Sequence, residues 1–146
     1  MSKRISYKGS IPDTQTERIK LKTIKGKVGY KIVKFQIIAA DVLGAQADML
    51  AQISKTSDAP DASINFTNDN ILAVATYKTE PNASQTAQGT TIIFDNVMFN
   101  QDIFITGIDC STGNQNINYY IELEARTLSD LEATMLTLKN IRTITS

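Results

Sequence analysis

Apolar and polar residues alternate along most of this chain, and this period of two constrains the fold more than any other sequence feature. In the clearest stretch, residues 117–126, one face is apolar and the other polar, as in a strand with one side buried. The apolar set is Ile117, Tyr119, Ile121, Leu123 and Ala125, and the polar set is Asn118, Tyr120, Glu122, Glu124 and Arg126. Further strands are predicted over residues 19–23, 30–40, 49–53, 71–77, 91–95 and 103–108. Residues 45–52 are also compatible with a helix.

The period changes near the C-terminal end. Ser129 and Glu132 form a capping box, the usual start of a helix. Leu131, Met135, Leu138 and Ile141 then follow at helical spacing and form one apolar stripe. The sequence therefore predicts an all-β protein: a seven- to eight-stranded antiparallel β-sandwich, jelly-roll-like, with one short amphipathic helix over residues 129–142.

The length of 146 residues fits one domain. Residues 1–16 contain turn-forming Pro12 and Asp13 and only three apolar anchors, Ile5, Tyr7 and Ile11. We predict an extended N-terminal arm over residues 1–16 and a single sandwich domain over residues 17–146.

The composition argues against an enzyme. The chain contains no His, which excludes Ser–His–Asp and Cys–His catalysis within one chain and removes the commonest metal ligand. A single cysteine, Cys110, can form neither an internal disulfide nor a cysteine-rich metal site. We therefore predict no enzymatic activity and no cofactor.

The N-terminal residues lack the apolar segment of a signal peptide, and residues 32–43 are too short and too polar to span a membrane, so synthesis in the cytoplasm is expected.

Charge is divided unevenly along the chain although its net value is zero. Residues 1–34 contain ten basic and two acidic residues, and the remainder contains five basic and thirteen acidic residues. A solvated basic face explains this pattern, and so does a contact between the basic part of one subunit and the acidic part of another. The candidate contact residues are Lys20, Lys22, Lys25, Lys27 and Tyr120. No aromatic interleaving or recognised motif accompanies the basic residues, so nucleic acid is not an expected partner.

Carboxylates near the ends of strands offer weak metal candidates. Asp95, Asp102 and Asp109 could bind calcium, but their spacing matches no compact calcium loop, and ordinary turn formation is favoured. Glu122 and Glu124 share one strand face and could form a catalytic carboxylate pair, although neighbouring Arg126 favours an ion-paired surface.

Two long loops, residues 80–90 and 110–117, are built largely from Ser, Thr, Asn, Gln and Gly. Such loops are adaptable hydrogen-bonding segments at the end of a sandwich. They support an alternative function, a lectin-like β-sandwich that binds a ligand such as a glycan on a host surface.

Several segments together resemble small structural proteins of marine viruses and phages. They are Ser2–Gly9, Arg18–Leu21, Lys25–Ile37, Asn118–Glu124 and Leu138–Arg142. The resemblance extends over most of the chain and includes no mechanistic motif. It implies a capsid, decoration or spike component that is made in the host cytoplasm and located in the virion. Such a protein would act by self-assembly or by docking on a capsid, with copies of itself or other virion proteins as partners.

Overall fold

The fold is that of a computed structural model, which describes residues 2–21, 27–40, 47–57, 63–79, 88–94, 97–111 and 114–145. The side chains of the C-terminal helix are described for residues 131–138. The elements in chain order are β1 (Ser2–Ile11), β2 (Gln15–Ile19), β3 (Val28–Ala39), β4 (Ala47–Ser54), β5 (Ile71–Thr79), β6 (Gln88–Ile93), β7 (Ile103–Asp109), β8 (Ile117–Thr127) and α1 (Asp130–Thr145). The described residues form eight strands in two antiparallel sheets and one helix, which confirms the predicted fold class.

The strands are wound as nested antiparallel pairs. β1 pairs with β8, β2 with β7 and β4 with β5, and these pairs are divided between a three-stranded sheet, β1-β8-β3, and a five-stranded sheet, β2-β7-β4-β5-β6. This is the winding of a jelly roll, in which one antiparallel ribbon supplies both sheets of a sandwich. β6 departs from the nested order because it pairs with β5. β3 is therefore an outer strand of the three-stranded sheet.

The core lies between the two sheets, and β8 contributes the most regular part of it. Its five alternate residues from Ile117 to Ala125 are all buried, as the period of two predicts. Phe35, Ile53 and Ile105 are also fully buried, and each such side chain contributes about 1.5–3 kcal/mol relative to an exposed one.

The predicted N-terminal arm is wrong for residues 2–11, which form β1 and pair with β8 over their whole length. The inward-facing residues include Ile5, Tyr7 and Ile11, so the segment does have a period of two. Gly9 interrupts the apolar series because a Cβ there would lie 2.7 Å from the hydroxyl of Tyr119. The alternation is hard to recognise in the sequence because another strand fills that space.

The strand predicted over residues 19–23 also differs in the structure. β2 ends at Ile19, and the backbone N–H of Leu21 donates to the Asp102 carboxylate at 2.9 Å. Asp102 also binds the Arg18 guanidinium at 2.6 Å. Because the Leu21 N–H donates to this carboxylate, which lies far away in the sequence, strand pairing ends at Ile19 rather than at residue 23 as the alternation predicts. Residues 22–26 lie outside the described part of the chain.

The helical alternative for residues 45–52 does not hold where the chain is described. Residues 47–54 form β4, an inner strand between β5 and β7. Pairing on both sides outweighs the local helix propensity of this segment.

The helix start is predicted correctly. The Glu132 N–H donates to Ser129 Oγ, and the Ser129 N–H donates to Glu132 Oε1, each at 3.2 Å. This reciprocal pair is a capping box. α1 then extends to Thr145, three residues beyond the predicted end.

Candidate functional site

The apolar stripe of α1 faces solvent at the three residues whose side chains are described, and the fourth, Ile141, lies outside that range. Leu131, Met135 and Leu138 are 71%, 63% and 58% exposed. An amphipathic helix in a globular protein normally turns such residues toward the core, where their burial provides most of the stability of the helix. The sequence predicts the stripe but not its exposure, because spacing alone does not show which side of a helix meets the sheets.

The opposite side of α1 is turned toward the sandwich. Ala133, Leu136 and Thr137 are half-buried there, and Asn100 Nδ2 donates to Thr137 Oγ1 at 3.2 Å. At the start of the helix, Glu132 forms an ion pair of 3.0 Å with Arg126 of β8. α1 is thus attached by one side and presents its apolar stripe outward.

A groove of about 460 Å³ opens beside β3. β3 and β8 contribute residues 36–38 and 118–120, and Thr76, Gly89 and Thr91 complete its described lining. Every one of these described residues is uncharged, and the volume is in the range typical of small-ligand sites. Since β6 pairs with β5, no other described strand pairs with β3 along the side where the groove lies.

Tyr119 and Tyr120 differ as the alternation predicts. Tyr119 is buried, and its hydroxyl donates to Glu17 Oε1 at 3.1 Å. Burial, together with the Glu17 carboxylate, raises the pKa of Tyr119 to about 12. Tyr120 is half-buried on the outer face of β8, where Lys34 Nζ lies 5.8 Å from the centre of its ring. Tyr120 is therefore accessible for contact, and it lines the groove.

The uneven charge along the sequence is partly neutralised within the three-stranded sheet. Basic strands β1 and β3 flank β8, which carries Glu122 and Glu124. Glu122 lies 3.9 Å from Arg4 and 3.8 Å from Lys34. Chain segments of opposite charge thus meet inside one molecule. These contacts support the interpretation of Glu122 as part of an ion-paired surface rather than of a catalytic carboxylate pair.

The structure describes two of the four lysines that the sequence offers as candidates for a subunit contact. Lys20 follows β2 directly, Lys27 precedes β3 directly, and both are exposed. Lys22 and Lys25 lie outside the described residues. The part of these lysines in a subunit contact stays a prediction.

Asp109 has a structural role. Its carboxylate accepts hydrogen bonds from the backbone N–H groups of Ser111, Gln115 and Asp48 at 3.0, 2.9 and 3.1 Å, and from Ser111 Oγ at 2.7 Å. Burial acts to raise its pKa, but these hydrogen bonds outweigh it and leave the pKa below the usual value for Asp. Asp109 therefore holds the loop after β7 in place.

The other two calcium candidates are not gathered around Asp109. Asp102 binds Arg18 and Leu21, and Asp95 lies outside the described residues. Within the described ranges, no group of three or more metal-ligating side chains is close enough to hold an ion. Turn and strand-end roles account for the contacts of Asp102 and Asp109.

Cys110 follows Asp109 and is exposed. Partial burial and the carboxylates of Asp48, Asp109 and Asp13 raise the pKa of its thiol, which disfavours the reactive thiolate.

Of the two polar loops predicted to bind a ligand, residues 80–87 and 112–113 lie outside the described residues. Residues 88–90, predicted as part of the first loop, belong to β6 instead, and Gly89 there lines the groove together with Asn118, the residue after the second loop.

Sequence reasoning identified Tyr120 but missed Gln36, Asn118 and Thr91 as neighbours in one groove. These residues come from three strands, and no local pattern connects them.

No helix within the described ranges has the length and apolar character needed to cross a membrane. The chain matches no known family model, and comparison with curated proteins finds no similar sequence.

Proposed function

We propose that this protein is a non-enzymatic structural component of a virion and that it acts by self-assembly through α1. The observation that supports the proposal is the exposed stripe of Leu131, Met135 and Leu138 on a helix attached to a jelly-roll sandwich. Jelly rolls are a common architecture of capsid proteins, and they also occur in unrelated functions. The exposed stripe favours assembly among these functions.

The partner that best fits the stripe is a second copy of this chain. The three residues are spaced by four and three positions, which is the spacing with which two helices interlock side chains along a shared seam. α1 is 16 residues long, and most of the stability of a helix in a protein comes from packing of its apolar face, which the described stripe does not find within one subunit. The net charge of zero also removes long-range repulsion between copies.

The direct test is the solution mass of the protein by light scattering over a concentration series. We expect a discrete oligomer for the natural sequence and a monomer for the triple variant Leu131→Gln, Met135→Gln, Leu138→Gln. Glutamine keeps the helix propensity and removes only the apolar contact. Electron microscopy of the oligomer should show a ring or shell with rotational symmetry.

The matched control is Ile92→Gln, which makes a similar change at a partly exposed apolar residue of β6. It should keep the mass of the natural protein. Because the three helix residues are exposed in one subunit, the triple variant should keep a cooperative thermal transition, with a midpoint that does not depend on concentration. A natural protein that is monomeric at every concentration, or a triple variant that still assembles, would contradict the proposal.

A further inference from the structure

The groove beside β3 has a lining that selects ligands by charge. Gln36, Asn118, Tyr120, Thr91 and Ile38 are among the residues that form it, and none of its described lining residues carries a charge. A phosphate, a carboxylate or a cation would lose hydration on entry without gaining an opposite charge from these residues. The groove therefore favours a neutral ligand.

The polar groups in the groove both donate and accept hydrogen bonds. Gln36 and Asn118 contribute amides, and Thr91 contributes a hydroxyl. Each amide carries a donor NH₂ and an acceptor oxygen, and a hydroxyl combines both functions. Neighbouring hydroxyl groups of a sugar have the same dual character, so they can satisfy such a lining without any charge.

The apolar part of the groove is a ring and an aliphatic side chain. Tyr120 is half-buried, and Ile38 is 45% exposed. Lys34 holds a position 5.8 Å from the Tyr120 ring centre and is itself 3.8 Å from Glu122. A half-buried ring with such a neighbour has less freedom to lose when a ligand packs on it. A sugar ring presents a face of C–H groups that can pack on such a surface.

An extended peptide is the main rival, because β3 is an edge strand to which another strand could be added. The irregularity between Ile32 and Lys34 and the bridge from Phe99 to Tyr30 shorten the edge available to such a strand to the part of β3 beside the groove. Bulges of this kind discourage the addition of strands. Moreover, the amides of Gln36 and Asn118 are side chains, which serve a compact polar ligand better than a backbone ladder.

We propose that this groove binds a neutral carbohydrate, with Tyr120 and Ile38 as its packing surface and Gln36, Asn118 and Thr91 as its hydrogen-bonding groups. The proposal goes beyond assembly through α1, since the groove lies on the sandwich and requires no second copy. It also relocates the lectin-like activity expected from the loops to a preformed site on the strands.

The test is saturation-transfer NMR with a panel of neutral disaccharides (lactose, maltose, cellobiose and mannobiose) and with sialyllactose as an acidic comparison. We expect saturation transfer to at least one neutral disaccharide. The sialic acid of sialyllactose should add nothing to the transfer. Tyr120→Ala and Asn118→Ala should each weaken binding by about tenfold or more. Phe66→Ala, which removes a partly exposed ring outside the groove, should leave binding unchanged.

Thermal melts of all the variants separate loss of the site from loss of the fold. The measurements are repeated on the α1 triple variant, so that a failure of assembly and a failure of sugar binding are seen independently. Absence of transfer to every neutral sugar would overturn the proposal, and so would binding that survives both Tyr120→Ala and Asn118→Ala. New amide protection at Phe35, Ile37 and Ala39 on addition of an extended peptide, without sugar binding, would assign the groove to a peptide instead.

Discussion

Single carboxylates at the ends of strands determine much of the local structure. Asp109 is only 3% exposed and accepts four hydrogen bonds, three of them from backbone N–H groups. Asp102 plays a comparable role where β2 ends, through Arg18 and the backbone of Leu21. Removing such an acceptor leaves several donors without a partner, which is more costly than losing a contact at the surface.

We expect Asp109→Asn to lower the free energy of unfolding by about 2 kcal/mol at neutral pH, because the amide replaces a charged acceptor and directs an NH₂ group at other donors. The folded-state pKa of Asp109 lies below its usual value, so its stabilising effect is present above about pH 4 and is lost as the pH falls through the folded-state pKa. The difference between variant and natural protein in urea unfolding should therefore shrink in acid.

The control for this measurement is Asp69→Asn, the same chemical change at an exposed position. It should leave the free energy of unfolding almost unchanged. An Asp109→Asn protein as stable as the control at neutral pH would contradict the structural role of Asp109.

At the scale of elements, the sequence predicted β8 and the start of α1 well and β1 and β2 poorly. β8 carries its alternation without interruption, and the helix cap is encoded by two residues three positions apart. β1 and β2, in contrast, depend on Tyr119 and Asp102, and Asp102 lies 81 residues from its partner Leu21 while Tyr119 lies still farther from Gly9. The groove was equally hidden, because it results from the pairing of β6 with β5.

The place of β1 in the sheet can be tested by deletion. We expect a protein lacking residues 1–11 to lose its cooperative thermal transition, because the β8 edge and the contacts of buried Ile11 would be exposed. Deletion of residues 129–146 is the comparison, since it removes α1 and keeps buried Leu128. That protein should still melt cooperatively. An N-terminally shortened protein that keeps its transition would restore the interpretation of this segment as an arm.

At the scale of the whole molecule, the basic and acidic parts of the sequence lie side by side in the three-stranded sheet rather than on separate surfaces. Residues 1–34 carry a net charge of about +8 and the rest of the chain about −8, yet β1 and β3 lie on either side of the acidic β8. Contacts such as Lys34 with Glu122 use some of this charge within one subunit. Less of it is left to attract a neighbouring subunit than the sequence suggests.

This arrangement predicts how assembly responds to salt. If α1 is the contact, the oligomer mass should persist in ~1 M NaCl, where the screening length is about 3 Å, because burial of apolar groups does not depend on charge attraction. A mass that falls to the monomer as salt rises would instead favour a contact through Lys20 and Lys27. The Lys20→Glu, Lys27→Glu variant should then be monomeric even at low salt, with its thermal midpoint kept.

The nested pairing also fixes an order of events during synthesis. β1 precedes the other described strands along the chain, and its partner among them is β8, so the three-stranded sheet cannot close until β8 has been translated. α1 follows β8 directly along the chain. The surface that we assign to assembly is therefore produced after β8, so a nascent chain cannot recruit partners through it before the described strands of its own sandwich have been made.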